Sequence, residues 1–104
     1  MEIIHYHPDI EKFFSSLEST TATKVARLIE LLGIREYNLV MPFSRMLEKG
    51  LYELRIQGMS NVRVFYTFYG GKVFLLHAVS KKTKKLERRD LKTARGRLVL
   101  LRKI

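Results

Sequence analysis

Residues 51–80, LYELRIQGMSNVRVFYTFYGGKVFLLHAVS, decide the fold, because they contain three β-prone runs separated by two turn signals. The runs are residues 51–56, 62–69 and 72–80. They are rich in β-branched and aromatic side chains, which strands favour. Gly70 and Gly71 suit a two-residue hairpin turn, and residues 57–61 suit a five-residue loop. The segment predicts an antiparallel meander whose third strand, apolar on both faces, is central and covered.

Helical periodicity precedes the meander. Residues 2–6 predict a short strand, and Pro8 suits the first turn of a helix. The apolar stripe of this helix is formed by Ile10, Phe13, Phe14 and Leu17. A second helix, capped by Thr20 or Thr21 and stopped by Gly33, is predicted next. Its stripe is formed by Val25, Leu28, Ile29 and Leu32.

The remaining segments complete the predicted fold. Residues 34–50 show little periodicity and predict a long connection, whereas Leu86 to Arg102 predict a final helix. The predicted class is α+β in the order β-α-α-β-β-β-α, with an N-terminal helical hairpin packed on a small antiparallel sheet and a basic C-terminal helix. The length predicts one domain over residues 1–104.

The positive charge is concentrated in the last quarter of the chain. The net charge is +10, and residues 81–104 hold 11 basic and 2 acidic side chains, against 9 and 8 in residues 1–80. This field favours a polyanionic partner, with nucleic acid first and an acidic protein still open. Trp and Phe are absent from the basic segment, which makes an anionic membrane a poorer candidate. The N-terminus has no signal-peptide pattern, and no apolar run approaches the roughly 20 residues of a membrane span, so a cytoplasmic protein is expected.

Two arginines interrupt the predicted strands. With a five-residue loop, Arg55 faces Arg63 across the hairpin on one face of the sheet, and such a like-charge pair requires a compensating anion. Glu53 lies on the same face, so the arginines are either ordinary solvated charges balanced by Glu53 or part of a phosphate site. The end of the third run, with Lys81 and Lys82, returns to the same rim and favours the phosphate site.

The motifs GLYELRI at 50–56, VRVFY at 62–66 and GGKVFLLHAVSKKTKK at 70–85 resemble the RelE/ParE toxin superfamily, and within it the phage-derived Gp49-like, HigB-type branch. The element order is similar over nearly the whole chain. The resemblance implies the toxin of a type II toxin-antitoxin pair that binds the ribosome and cleaves mRNA without a metal or another cofactor, using the RNA 2′-hydroxyl as nucleophile. It also implies a cognate antitoxin, typically with a helix-turn-helix DNA-binding domain, and no membrane partner.

The resemblance also assigns residues. It implies catalytic roles for Arg55 and Arg63 at the phosphate, and for Lys81 or Lys82 after the last strand. The residues expected to bind RNA are Lys84, Lys85, Arg88, Arg89 and Phe65. Glu53 departs from the pattern, because RelE-like members carry a lysine there. A terminal tyrosine or histidine is also missing after Tyr69 and His77, so the general base stays open. Crowded ammonium groups favour the neutral form, which makes a lysine of KKTKK one hypothesis.

Other side chains allow competing interpretations. His77 is expected opposite Val64, on the face away from Arg63, as a buried hydrogen-bonded residue more often than a catalytic one. His5 and His7 are a weaker acid-base pair, and three histidines without clustered carboxylates or cysteines predict no metal site. Two other functions remain open: a ParE-like toxin that inhibits DNA gyrase without cutting nucleic acid, and a basic RNA-binding module.

Overall fold

A computed structural model describes residues 1–58, 60–81 and 87–104. The strands in chain order are β1 (Ile3–His5), β2 (Ser44–Glu48), β3 (Leu51–Ile56), β4 (Asn61–Tyr69) and β5 (Lys72–Lys81). The α-helices are α1 (Pro8–Ser15), α2 (Ser19–Arg35) and α3 (Arg88–Arg102), and a 3-10 turn covers Glu36–Asn38. No helix in these ranges is long and apolar enough to cross a membrane. The predicted α+β fold is confirmed.

The sheet contains all five strands in the order β1-β5-β4-β3-β2. The predicted meander is confirmed as β3, β4 and β5, with Arg55 paired to Arg63 and Ile56 paired to Val62. Two expectations were wrong. The long connection at residues 34–50 contains β2, which pairs antiparallel with β3 as an edge strand. The sheet is mixed and not purely antiparallel, because β1 lies parallel to β5.

Helices α1 and α2 cover one face of the sheet. Their buried side chains Ile10, Val25 and Leu32 pack against Leu54, Val64 and other inward residues of the strands. The start and end of α2 differ from the prediction for identifiable reasons. The Glu18 carboxylate accepts a hydrogen bond from the Thr20 backbone N–H, so the cap lies two positions before Thr20, the earlier of the two expected caps.

Gly33 does not stop α2. The helix continues to Arg35, and a Cβ at Gly33 would lie 3.1 Å from the Met1 carbonyl oxygen. The N-terminal amino group also donates a hydrogen bond to the Gly33 carbonyl at 2.7 Å. Gly33 therefore permits close packing of the N-terminus against the helix.

Helix α3 covers part of the opposite face. Ala94, Leu98 and Leu101 pack on Phe65, Leu76 and other strand residues in a second apolar core. Arg95 binds Glu48 through two hydrogen bonds of 2.7 Å, and Arg97 binds Asp9 through bonds of 3.0 and 2.5 Å. These pairs tie α3 to the end of β2 and to the start of α1. They also neutralise part of the positive charge that is concentrated in residues 81–104.

Candidate functional site

Three arginines from three neighbouring strands surround one buried carboxylate. Glu53 of β3 is 1% exposed, and its Oε1 lies 3.1 Å from Arg45 Nε and 3.7 Å from Arg55 Nε. Its Oε2 lies 3.7 Å from Arg63 Nε. We call these four residues the arginine cluster. It lies on the α3 face of the sheet, at the rim where β2 and β4 begin and β3 ends.

The arginine cluster has more positive than negative charge. Three guanidinium groups share a single carboxylate, and arginine stays protonated in proteins. Burial lowers the pKa of Arg63 below its usual value, the Glu53 carboxylate opposes this shift, and Arg55 and Arg45 lower the pKa further. Within the described residues, the buried Arg55 Nε–H lacks a hydrogen-bond acceptor. The cluster can therefore accept a second anion.

Access to the cluster is graded across the strands. The exposed fraction of the side chain is 41% for Arg45, 15% for Arg55 and 3% for Arg63. An anion from solvent meets Arg45 and Arg55 first. To reach Arg63, the anion must displace Glu53 or bind beside it in the interior of the cluster.

A second polar group lies on the same face, where β5 ends. Lys81 Nζ and His77 Nε2 both bind the carboxylate of Asp90, which comes from the first turn of α3, and the His77 distance is 3.0 Å. Burial raises the pKa of Asp90, but hydrogen bonds from Lys81 and His77 lower it more, and the net shift is downward. We call Lys81, His77 and Asp90 the Asp90 group. It ties the start of α3 to the sheet.

The position of His77 corrects one expectation. His77 pairs with Phe65 and not with Val64, because a bulge between Phe65 and Tyr66 shifts the register of β4 and β5 by one residue. This shift moves His77 to the same face as Arg63. The imidazole stacks on the Phe65 ring, with centroids 5.8 Å apart and planes inclined by 24°. His77 is hydrogen-bonded and mostly buried, with its side chain 16% exposed.

The structure brings together some of the residues singled out from the sequence. Arg55 and Arg63 are neighbours in the arginine cluster, and Lys81 is on the same face, bound to Asp90. The direct partner of Lys81 is thus a carboxylate and not another cation. Phe65 has no exposed surface, so an RNA base could stack on it only if its surroundings opened.

The remaining candidates are at the start of α3 or precede it in the sequence. Arg88 and Arg89 are exposed, and Arg89 Nε lies 3.3 Å from Glu87. Lys82, Lys84 and Lys85 lie outside the described residues. His5 and His7, the weaker acid-base candidates, both make structural contacts. His7 Nδ1 accepts a hydrogen bond from the Asp9 N–H at the start of α1. The His5 ring packs edge-on against Phe14, with ring centroids 5.7 Å apart.

Two residues of the site were missed in the sequence. Arg45 lies on β2, whose strand character is hidden by Pro42, Ser44 and Gly50 in the surrounding segment. Asp90 is one of only two acidic residues among residues 81–104. An isolated carboxylate in a strongly basic segment was the available signal, because buried cations need a partner.

A family model matches most of the chain. A model of the family described as "Phage derived protein Gp49-like (DUF891)" matches residues 12–99, which include the whole arginine cluster and the Asp90 group. A search of curated proteins found no match. The matched segment covers well over half of the sequence. The chain therefore belongs to the phage-derived Gp49-like family, a RelE/ParE-type toxin family.

Proposed function

We propose that this toxin is a ribosome-dependent mRNA endonuclease. The arginine cluster is the observation that supports this activity, because a strand-mounted set of guanidinium groups with excess charge suits a phosphodiester. Cleavage by the RNA 2′-hydroxyl passes through a phosphorane with additional negative charge. Rigid cations that are already oriented stabilise such a transition state.

The proposed roles follow the gradient of exposure. Arg45 and Arg55 receive the phosphate. Arg63 stabilises the developing charge when its guanidinium binds the RNA as well as Glu53. Lys81 contributes a nearby cation, and Lys82 remains a proposed catalytic residue by family resemblance. Lys84, Lys85, Arg88 and Arg89 hold the RNA backbone as point charges or forks.

His77 is our candidate for the general base. Asp90 accepts a hydrogen bond from Nε2 of the imidazole when that nitrogen is protonated, which leaves the lone pair of Nδ1 to take a proton. A carboxylate that orients an imidazole in this way is a common arrangement in acid-base catalysis. His77→Gln is expected to reduce the cleavage rate, because the amide can still donate a hydrogen bond to Asp90 but cannot take up the proton.

One observation favours a second function. Arg63 is 3% exposed and paired with Glu53, so the interior of the cluster is closed to a phosphate in this conformation. A non-nucleolytic, ParE-like toxin that inhibits DNA gyrase would need no access to Arg63. A basic RNA-binding module is the third candidate, and it predicts neither effect.

A cell-free translation assay with primer extension separates the three functions. For an endonuclease, we expect cleavage within codons of translated mRNA, and a fall of about 10²–10³-fold in cleavage for Arg63→Ala. Lys12→Ala, on the exposed surface of α1, is the matched control and should retain activity. Intact mRNA together with inhibition of DNA gyrase in a supercoiling assay would support the gyrase function. If neither effect is seen, RNA binding is the remaining function.

The toxin family implies a cognate antitoxin. We propose that this partner carries a helix-turn-helix DNA-binding domain, that the toxin acts in the cytoplasm on ribosome-bound mRNA, and that it needs no cofactor. Growth arrest on expression, relieved by Arg63→Ala, is the corresponding test in cells.

A further inference from the structure

A groove with a volume of about 370 Å³ lies on the α2 side of the sheet, away from the α3 face. Leu28 and Leu31 of α2, Phe43 just before β2 and Ile56 at the end of β3 supply apolar walls. Lys24 and Arg27 of α2 add two cationic side chains. Among the described residues, no carboxylate lines the groove. The groove therefore combines apolar walls with uncompensated positive charge.

The apolar character continues along the chain next to the groove. Val40, Met41 and Phe43 are 63%, 53% and 45% exposed, and Met46 on β2 is 61% exposed. β2 is also the edge strand, and within the described part of the chain it pairs with β3 alone. Apolar residues exposed together on one connected segment mark an interaction surface more often than scattered ones do.

We propose that this groove and the segment beside it bind an acidic amphipathic segment of a protein partner. In a toxin family that partner is the antitoxin, so the proposal depends on family membership and not on RNA cleavage. The charge and the apolar walls select the occupant together. An amphipathic helix places apolar anchors in the groove at positions i, i+3, i+4 and i+7, and its acidic residues pair with Lys24 and Arg27.

RNA fits this surface less well. A phosphate backbone would pair with Lys24 and Arg27. It would not cover the apolar side chains of Leu28, Leu31 and Ile56, which would stay in contact with water. An apolar anchor removes those walls from water at about 25 cal/mol per Å². Arg55 lines the groove and also belongs to the arginine cluster. A protein segment in the groove would thus reach the edge of the cluster from the opposite side of the sheet.

The test is a titration of the ¹⁵N-labelled full chain, followed by NMR. The probe is a helix-forming peptide with leucines at i, i+3, i+4 and i+7 and glutamates on its other face, and its matched control has lysines in place of the glutamates. We expect the acidic peptide to shift the resonances of Leu28, Phe43 and Ile56, and to bind at least about tenfold more tightly than the basic peptide. Lys24→Glu with Arg27→Glu should abolish that preference, whereas Lys12→Glu on α1 should preserve it.

Three outcomes would overturn the proposal: equal binding of the two peptides, shifts confined to other surfaces, or a single-stranded RNA oligonucleotide that shifts the groove resonances and is not displaced by the acidic peptide. A spectrum of the double variant that matches the parent shows that it folds, and Phe43→Ser tests the apolar half of the groove independently. The peptide titration does not depend on RNA cleavage. If the unmodified protein failed to cleave mRNA in the cell-free assay, the proposed function would fail, whereas the titration would still decide the docking proposal.

Discussion

The two faces of the same sheet differ in chemistry. Toward α1 and α2, β3 and β4 present Leu54, Ile56, Val62 and Val64, all 3% exposed or less. The alternate positions of the same strands, toward α3, include Glu53, Arg55 and Arg63. One face is a continuous apolar core, and the other is apolar under α3 and charged at its rim.

This difference shows where stability and function are located. Apolar burial stabilises the fold without specific partners, whereas a buried guanidinium costs free energy unless a carboxylate compensates it. Glu53 and Asp90 provide that compensation for Arg63 and Lys81. An apolar pair would fill the same space at lower cost, so we infer that the charges are kept for binding.

The largest expected effect comes from breaking the charged face. Glu53→Met leaves Arg63 buried without its carboxylate and is expected to lower the free energy of unfolding by about 3–5 kcal/mol. Glu53→Met with Arg63→Met should recover most of this loss, because Arg45 and Arg55 still reach solvent. Urea unfolding measures both. A loss below about 1 kcal/mol for the single variant would mean that Arg63 is effectively solvated.

The next effect comes from the apolar face, at the adjacent residue. Leu54→Ala removes a fully buried side chain and should lower the free energy of unfolding by about 2–5 kcal/mol. Translation inhibition per folded molecule should not change, since Leu54 points away from the arginine cluster. Urea unfolding combined with the cell-free assay tests this separation, and inhibition lost from protein that remains folded would contradict it.

Much of this contrast follows from sequence patterns. The pairing of Arg55 with Arg63 was predictable because loop length and strand alternation together fix a hairpin register. The bulge at Phe65 was not, since one additional residue in β5 leaves no mark in an apolar run. His77 was therefore assigned to the wrong face.

The partners of the charges were less predictable than the charges themselves. Glu53 and Arg63 are close in the predicted hairpin, but Lys81 meets Asp90 only after α3 packs back on the sheet. The same holds for Arg45, whose strand depends on pairing with β3 more than on its own residues. A sequence pattern can mark such a charge, as the isolated carboxylate of Asp90 does, but it does not identify the partner that tertiary packing brings to it.

Acidification should sharpen the comparison at Asp90. Its pKa is lowered in the folded protein, so its contribution is complete above the unfolded pKa of about 3.9 and is lost as the pH falls through the lower folded value. We expect Asp90→Asn to lower the free energy of unfolding by about 1.5–3 kcal/mol at neutral to mildly acidic pH. The difference from the parent should shrink on acidification below about pH 4.

Asp9→Asn is the control for that experiment. A hydrogen bond from Arg97 lowers the pKa of Asp9, but its side chain is 47% exposed, so its pH-dependent difference should be smaller. Urea unfolding at a series of pH values measures both variants. The free energy of unfolding of Asp90→Asn could instead differ from that of the parent by the same amount from neutral pH to below about pH 4. That result would show that the carboxylate charge does not stabilise the fold.

The smallest effect on stability is expected at the edge of the apolar face. Met46 lies on β2 opposite Tyr52, but it is 61% exposed, in contrast to Leu54. Met46→Ser should therefore change the free energy of unfolding by no more than about 0.5 kcal/mol. The same variant should weaken binding of the acidic peptide, because Met46 extends the apolar surface beside the groove. Unfolding and peptide titration of one sample test both statements, and a large loss of stability with unchanged binding would make this edge part of the core instead of a binding surface.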